Sequence, residues 1–315
     1  MKIRLFVLWV IALALFVACG GKKDGEDAKT SSAEASLDDA LALLPGNAIA
    51  VGSVDARAFF SSKTFGAQLA STVEKYIPIG KEAGFEAARD LDRITWATYS
   101  YQGVDAAAIV VGRFDEAKIK QVAASQTPTK MNAPLVVSQY AGRDLYTVSN
   151  IGFTLLTKER AVVGTEGAIR RVLERIKDKR VKRDILPWMI ATVETPGAAA
   201  TAAADFASQP MPQEVLRQVN SPVAKDLKAL RVLMNFKENG IQLAASGTFA
   251  DEAAAGNAKG QVEQVASLAK WLSLIGVKIQ NIDIKADKQD VQLKAEVDDQ
   301  SLKALLQAVP QLLGG

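Results

Sequence analysis

Histidine is absent from the 315-residue chain, and the only cysteine is Cys19. Without histidine, the Ser-His-Asp triad, histidine-assisted cysteine catalysis and histidine metal sites are all excluded. The chemistry that remains open uses aspartate, glutamate, lysine, serine and tyrosine. These two features of the composition narrow the possible functions more than any residue type that is abundant.

Paired carboxylates are what a glycosidase places on the two sides of its cleft. The sequence offers three such pairs: Asp38-Asp39, Asp90/Asp92 and Asp298-Asp299. Each pair stands at the predicted start of a helix or strand, where a carboxylate accepts hydrogen bonds from free backbone amides. None has the spacing of a calcium-binding loop. We therefore expect capping rather than catalysis, and we predict no cofactor and no metal.

Ser267-Leu268-Ala269-Lys270 matches the Ser-x-x-Lys pattern of serine β-lactamases and penicillin-binding proteins. Neither Ser-Asp-Asn nor Lys-Thr-Gly accompanies it, and a pattern with two fixed positions arises by chance in most chains of this length. Its apolar neighbours indicate the edge of an amphipathic helix. We therefore predict that the protein is not an enzyme. A hydrolase that uses carboxylates, or Ser267 and Lys270, is the less favoured alternative.

A cluster of cationic residues occupies positions 170–183. Its members are Arg170, Arg171, Arg175, Lys177, Lys179, Arg180, Lys182 and Arg183. Such a patch could contact anionic lipid headgroups, lipopolysaccharide phosphates or an acidic partner. The favoured interpretation is structural: a solvated helix face whose C-terminal cations suit the helix dipole, followed by an exposed junction. The formal net charge of only +3, and the lack of interleaved aromatic residues, argue against nucleic acid.

Cys19 stands at the end of a segment with the shape of a signal peptide. Two cations precede the apolar run 5–17, which is shorter than the roughly 20 residues of a membrane span. The run leads into Phe16-Val17-Ala18-Cys19-Gly20, which resembles the bacterial lipobox, with Phe16 where Leu is usual. The resemblance implies cleavage after residue 18 and a lipidated Cys19. An ordinary signal peptide, cut nearby, would instead leave a free thiol.

Composition and length divide the remainder of the chain. Residues 20–36 contain no bulky apolar side chain, so 19–36 is predicted to be the lipidated cysteine with a flexible tether. The rest is long enough for roughly two domains. We predict two similar halves, 37–183 and 184–315, after a signal peptide at 1–18.

The two halves share a pattern. Asp90-Leu91 and Asp226-Leu227 are 136 residues apart, and each opens a predicted hairpin that ends at Gly112 or Gly247 in a Gly-x-Phe junction. Each half begins with Leu-Pro before a predicted strand, at 49–54 and at 189–193. Each ends in a helix, capped by Thr165 in the first half and by Asp298 or Asp299 in the second.

Two local expectations concern the second half. The alanine-rich segment 196–207 is predicted to be a helix that either packs closely against the sheet or lies loosely over it, and in the loose case it would be a mobile cover. The alternation of apolar and polar residues over 277–285 slips at Asn281, which predicts a β-bulge.

Hairpins imply antiparallel pairing. The predicted class is therefore α+β, with two similar halves, each an antiparallel sheet with helices packed on one face.

The repeated motifs resemble those of an uncharacterised family of exported bacterial lipoproteins with a duplicated α+β body. They are Leu44-Pro45, Ala50-Val51-Gly52-Ser53-Val54-Asp55 and Gly112-Arg113-Phe114-Asp115. The resemblance implies a fold and an extracytoplasmic setting but no activity. We expect a lipoprotein of the cell envelope, anchored in the outer membrane of a Gram-negative bacterium, with a non-enzymatic binding or structural role. Its partners would be the membrane, and another envelope protein or an apolar ligand. A carrier of a lipid is the alternative.

Overall fold

The structure, a computed structural model, describes residues 35–63, 66–74, 77–219, 221, 223–267 and 277–304. The predicted signal peptide, Cys19, most of the tether, Lys270 and the end of the last helix lie outside these ranges. Within them, no helix combines the length and the apolar character that crossing a membrane requires. Backbone contacts divide the described residues into two compact units. The first unit runs to Ile190 and the second begins at Ala191, while residues 62–63 group with the second.

The first unit is a mixed sheet-and-helix body. Its helices are α1 (Ala35–Asp38), α2 (Ala40–Leu43), α3 (Ala56–Phe60), α4 (Gly66–Val73), α5 (Ala87–Asp90), α6 (Glu116–Ser125) and α7 (Glu166–Lys177), with a 3-10 turn at Lys81–Ala83. Its strands are β1 (Ala50–Val54), β2 (Leu91–Thr98), β3 (Ala106–Gly112), β4 (Val136–Tyr140), β5 (Arg143–Val148), β6 (Ile151–Thr157) and β7 (Arg160–Thr165). The strand order in this unit is β1-β2-β3-β7-β6-β5-β4.

The second unit follows α8 (Pro187–Val193), which spans the boundary. It contains β8 (Ala200–Asp205), α9 (Gln213–Val219), β9 (Leu227–Lys237), β10 (Gly240–Phe249), α10 (Glu252–Ser267), β11 (Ile279–Asp287) and β12 (Asp290–Asp298). Residues 299–304 are helical. The strand order is β8-β9-β10-β12-β11. All neighbouring strands whose register is described run antiparallel, so the predicted α+β class is confirmed.

Helices of the first unit cover both faces of its strands, so the prediction of one covered face is wrong there. Directly paired residues share a face, and neighbours along a strand point to opposite faces. On β5, Asp144 contacts Lys120 of α6. On β4, Tyr140 pairs with Arg143, the neighbour of Asp144, and its hydroxyl donates to Glu174 of α7. Hence α6 and α7 lie on opposite faces.

The start of the second half differs from the prediction. The segment 189–193, predicted to be a strand, belongs to helix α8, which begins at Pro187. Proline suits the first helical position, and an apolar run without alternation does not distinguish the two structures. The predicted helix at 196–207 contains the strand β8, which pairs with β9 and is buried at five of six positions. The mobile cover is therefore wrong. Pairing in the sheet overrides the helix propensity of alanine.

Other local predictions have mixed outcomes. The bulge at Asn281 is confirmed, because its φ is 50° and the pairing with β12 shifts between Gln280 and Asp283. Thr165 occupies the N-cap position of α7, but its hydroxyl makes no capping bond. The Thr165 hydroxyl instead donates to the Asp105 carboxylate at 3.4 Å. The capping role predicted for Thr165 is therefore wrong.

Candidate functional site

The three carboxylate pairs are used in structural contacts. Asp39 accepts the Ala42 amide at 3.1 Å, and Asp298 accepts the Ser301 amide at 2.7 Å, as capping predicts. Burial alone would raise the pKa of Asp298, but the bonds from Ser301, the charge of Lys278 and the Gln300 amide together lower it. Asp90 is buried and accepts the Glu86 amide at 2.8 Å. Asp92 pairs with Arg57 at 2.5 Å.

The other candidate chemistry is equally local. Ser267 is exposed at the end of α10, and its hydroxyl donates to the Gln264 carbonyl at 2.6 Å. Lys270, its partner in the Ser-x-x-Lys pattern, lies outside the described residues. Among the described side chains, no group of three or more cysteine, aspartate and glutamate residues has the geometry to hold a metal ion.

The cationic cluster divides into inward and outward members. Arg175 points inward: its side chain is only 9% exposed and pairs with Asp184 at 3.0 Å. It also donates to the carbonyls of Ala42 at 3.0 Å and Lys182 at 2.9 Å. Arg175 therefore cannot contact an anionic surface, which corrects the sequence-based set. It joins helix α7 to the segments before β1 and after α7.

Several remaining cations already have acidic partners. Arg170 pairs with Glu166 at 2.6 Å, Arg171 with Asp105 at 2.7 Å, Arg180 with Asp178 at 2.8 Å and Arg183 with Asp39 at 2.6 Å. Arg170 also lies over the Tyr140 ring, 4.3 Å from its centroid. Lys179 and Lys182 are exposed. The neutralising carboxylates weaken the patch as an anion-binding surface, since most of its charge is satisfied within the protein.

A different part of the first unit combines exposed apolar side chains, unpaired backbone and a cleft. Strand β4 is an edge strand, and within the described chain β5 is its one pairing neighbour. Its first two residues, Val136 and Val137, are 52% and 44% exposed. An edge strand offers a row of free N–H and C=O groups to another strand. We define the β4 edge as residues 136–140.

A cleft of about 380 Å³ lies beside the β4 edge. Helix α6 contributes one wall and strands β4 and β5 the other; the lining residues are Lys120, Ala123, Ala124, Gln126, Val136, Val137, Asp144 and Tyr146. Four of the lining side chains carry polar or charged groups, and the other four are alanine or valine. An open cleft of this kind can receive a side chain of a bound segment.

Asp144 organises the polar groups of the cleft. It accepts hydrogen bonds from Gln139 and from the Tyr146 hydroxyl, the latter at 3.4 Å, and it lies 3.4 Å from the Lys120 ammonium. Lys120 also pairs with Glu116 at 2.8 Å, and these carboxylates raise the pKa of Lys120. Burial, together with Asp144, raises the pKa of Tyr146 to about 12. The cleft therefore holds a phenol that is neutral at neutral pH and the ion pair of Lys120 with Asp144.

The edge strand of the second unit gives an internal contrast. Strand β11 carries Asp283, Lys285 and Asp287, and it has the bulge at Asn281. Charges and bulges are the features that protect an edge from pairing with another chain. Strand β4, with the sequence Val-Val-Ser-Gln-Tyr, has neither. The two edges therefore differ in the property that decides whether a strand can accept a partner.

Sequence reasoning missed this site. It did not single out the strand β4. A signal was present, because the twelve residues from Met131 to Gly142 contain no charge. What the sequence does not reveal is that β4 lies at an edge.

Comparison with known proteins supports the fold alone. No protein-family model and no curated protein matches the sequence. Among solved structures, crystal form I of the protein TP0453 is 12% identical with a TM-score of 0.53, covering 87% of this chain and 97% of that one. Crystal form III is 10% identical with a TM-score of 0.54, covering 86% and 98%. Both likenesses agree with the mixed α+β architecture.

Proposed function

We propose that this chain is a lipid-anchored protein of the cell envelope that binds a protein partner through the β4 edge and its cleft. The role is one of binding, without catalysis. The observation that carries it is an uncharged, exposed edge strand that borders a cleft. In strand addition, backbone hydrogen bonds provide affinity and side-chain pockets provide specificity. The β4 edge and the cleft would provide these two parts.

The anchor belongs to the proposal because Cys19 stands where the lipobox resemblance places it. Replacing Cys19 with serine removes the thiol that would carry the lipid. We expect Cys19→Ser to move the full chain from the outer-membrane fraction to the soluble fraction, and native mass spectrometry of the wild type to show the mass of a lipid. If Cys19→Ser stays in the membrane fraction to the same extent as the wild type, the anchor is refuted.

We also propose that the body arose by duplication. Its support is the strand order. In the first unit, β3 lies between the strand that precedes it and β7, the last strand. In the second unit, β10 lies likewise between β9 and β12, the last strand. A helix follows β3 and β10, and another follows β7 and β12. On this proposal β4 and β5 are an additional hairpin of the first half.

Hydrogen bonds at the strand-to-helix junctions support the same proposal. In each unit, one amide donates to the turn of the last hairpin, the next donates to the aspartate before the first hairpin strand, and an aspartate caps the helix. The first set is Gly112 to Glu159, Arg113 to Asp90 and Lys118 to Asp115; the second is Phe249 to Gln289, Ala250 to Asp226 and Ala254 to Asp251. The same combination of turn, cap and strand-end hydrogen bonds therefore occurs in both units.

A site-specific cross-link tests the binding role. A photoreactive residue at Val137 lies on the β4 edge, and the same residue at Val265, which is 67% exposed on α10, is the matched control. In cells, we expect cross-linked protein adducts from position 137 and none from 265. Equal yields at both positions, or no adduct at 137, would refute the β4 edge as the binding site.

A second candidate, a carrier of an apolar ligand, is favoured by one face of the second unit. The register places Val232 of β9, Leu243 and Ala245 of β10 and Leu293 of β12 on a common face. Each of these side chains is half-buried. At one end of this face, the small residues Ala255 and Ala258 of α10 pack against Phe249 and Val291. An apolar sheet face that stays half-exposed suits an acyl chain.

Native mass spectrometry of the purified full chain tests the carrier. A carrier should retain lipid in addition to the covalent anchor. We expect Leu243→Glu to abolish that retention, whereas Gln242→Glu, the exposed neighbour on the opposite face, should preserve it. A wild-type protein that carries no noncovalent lipid after gentle extraction would exclude this candidate and leave the β4 proposal unaffected.

A further inference from the structure

The outward-facing backbone groups of β4 follow from its hairpin. The turn to β5 has two residues, Ala141 and Gly142, with φ of 50° and 78°. Residues flanking such a turn form a hydrogen-bonded pair, and pairs then alternate along the ladder. Residues 140, 138 and 136 therefore bond to β5. The amides and carbonyls of Val137 and Gln139 point away from β5, to the free side of the strand.

This pattern is complementary to itself. If two β4 strands run antiparallel about a two-fold axis through Ser138, Val137 of each lies opposite Gln139 of the other. Both residues present outward amides and carbonyls, so each of the two pairs would form a pair of hydrogen bonds. The register leaves no outward amide of Val137 or Gln139 without an acceptor. An isologous contact of this kind closes as a dimer and does not extend into a fibre.

Side chains suit the same register. Val136 would lie opposite Tyr140, whose ring is half-buried, and aliphatic–aromatic pairs across strands are favourable. The Ser138 side chains would meet at the axis. Two identical edges that carried charge would repel each other, but none of the five β4 residues is charged. The edge of β11, with its acidic and basic side chains and its bulge, lacks this self-complementarity.

We propose that β4 pairs with β4 of a second copy of this chain, so that the protein is a two-fold symmetric dimer joined by a continuous antiparallel ladder. The inference rests on the proposed use of the β4 edge for binding and specifies the partner. The partner of the β4 edge is a second copy because both its outward hydrogen-bonding groups and its uncharged side chains match their own two-fold image. The cleft beside β4 then borders the dimer contact.

The first test measures self-association. Sedimentation equilibrium of the detergent-solubilised full chain should show a reversible monomer–dimer equilibrium. Val137→Pro removes only an outward amide, a substitution that an edge strand tolerates. It deletes two hydrogen bonds per dimer. Each net bond corresponds to about a fivefold change in an equilibrium constant, so the dissociation constant should rise about 25-fold. Val265→Lys, a change at an exposed valine of α10, should leave it unchanged.

The second test reads the register and does not require a substitution by proline. In the full chain carrying Cys19→Ser, Ser138→Cys places the only thiol at the axis. Its Cα would lie about 4.5 Å from its two-fold mate, within the range of a disulfide. Val136→Cys is the matched control, because its mates would be about 14 Å apart. Mild oxidation should give a covalent dimer for Ser138→Cys and not for Val136→Cys.

The outcomes separate this inference from the proposed function. A dimer that Val137→Pro weakens and Ser138→Cys traps supports both. A monomer at all concentrations overturns the inference, as does a dimer insensitive to Val137→Pro or cross-linked equally at 136 and 138. If position 137 photo-cross-links to a different protein while the purified chain is monomeric, the binding role stands and the second copy is refuted.

Discussion

The ion pair between Arg175 and Asp184 predicts that removing Asp184 destabilises the protein more than removing Arg175. Arg175 is 9% exposed, whereas its partner Asp184 is 33% exposed. Removing the carboxylate in Asp184→Ala leaves a guanidinium in a dry environment without a counter-charge. Breaking a buried pair in this way costs about 3–5 kcal/mol of unfolding free energy. We expect Asp184→Ala to lose about 4 kcal/mol.

Removing the cation should cost less. In Arg175→Met the aliphatic stem is kept, and Asp184 can hydrate because a third of its side chain is exposed. The carbonyls of Ala42 and Lys182 lose their donor, which destabilises the fold. Arg175→Met also removes the buried Nε, which has no hydrogen-bond partner in the described part of the chain, and this offsets part of that loss. We expect about 2 kcal/mol for Arg175→Met, and about the same for the double mutant.

Urea unfolding of the full chain at neutral pH, followed by tryptophan fluorescence, measures these differences. Arg180→Ala is the control, because Arg180 and Asp178 are both about half exposed and such pairs contribute about 0–1 kcal/mol. The reasoning requires the order Asp184→Ala, then Arg175→Met, then Arg180→Ala in decreasing loss. It is refuted if Asp184→Ala costs no more than Arg180→Ala, or if the double mutant shows the sum of the single losses.

Three further predictions concern single positions. The pKa of Asp298 is lower in the folded protein than in the unfolded chain. Its contribution to stability is therefore complete above the pKa of the unfolded chain and is lost as the pH falls through the pKa of the folded protein. Asp298→Asn should keep the cap and flatten the dependence of stability on pH below about pH 4. Gly46→Ala should cost about 1–3 kcal/mol in urea unfolding, since a Cβ would lie 2.4 Å from the carbonyl oxygen of Asp184. Tyr99→Phe should stabilise the protein by about 1 kcal/mol, because that hydroxyl is buried and has no hydrogen-bond partner among the described residues; a lower melting temperature would contradict this.

Much of the sheet could be predicted because its signals are local. The hairpins at 91–112 and 227–249 have apolar strands, turn residues and an aspartate cap within a few positions of each other. Asn281 interrupts an alternation that is otherwise regular. Each of these features depends on neighbours in sequence, so the physical chemistry of the segment determines it.

The errors arose where distant parts of the chain decide the structure. The alanines of 200–205 favour a helix in isolation, but pairing with β9 makes them a strand. Thr165 matches a capping residue, yet its hydroxyl donates to Asp105, which is 60 residues earlier in the chain. Arg175 is one cation among eight in sequence, and only its three-dimensional neighbours reveal that it is buried. The periodicity of a segment does not indicate which distant residues it contacts.

The position of the candidate site follows from the difference between the two units. Up to β6, the first unit repeats the strand order of the second, which has β11 at the corresponding place. Strand β11 is protected by charges and a bulge, as an edge that must stay free should be. The first unit continues by one more hairpin, and its new edge, β4, lacks both forms of protection. On the proposed duplication, β6 corresponds to β11 and β4 is the edge strand that takes the place of β6 in the first unit. Strand β4 lacks the protection that β11 has and lies beside a cleft that it helps to form, and for this reason we assign binding to β4 and not to the cationic cluster.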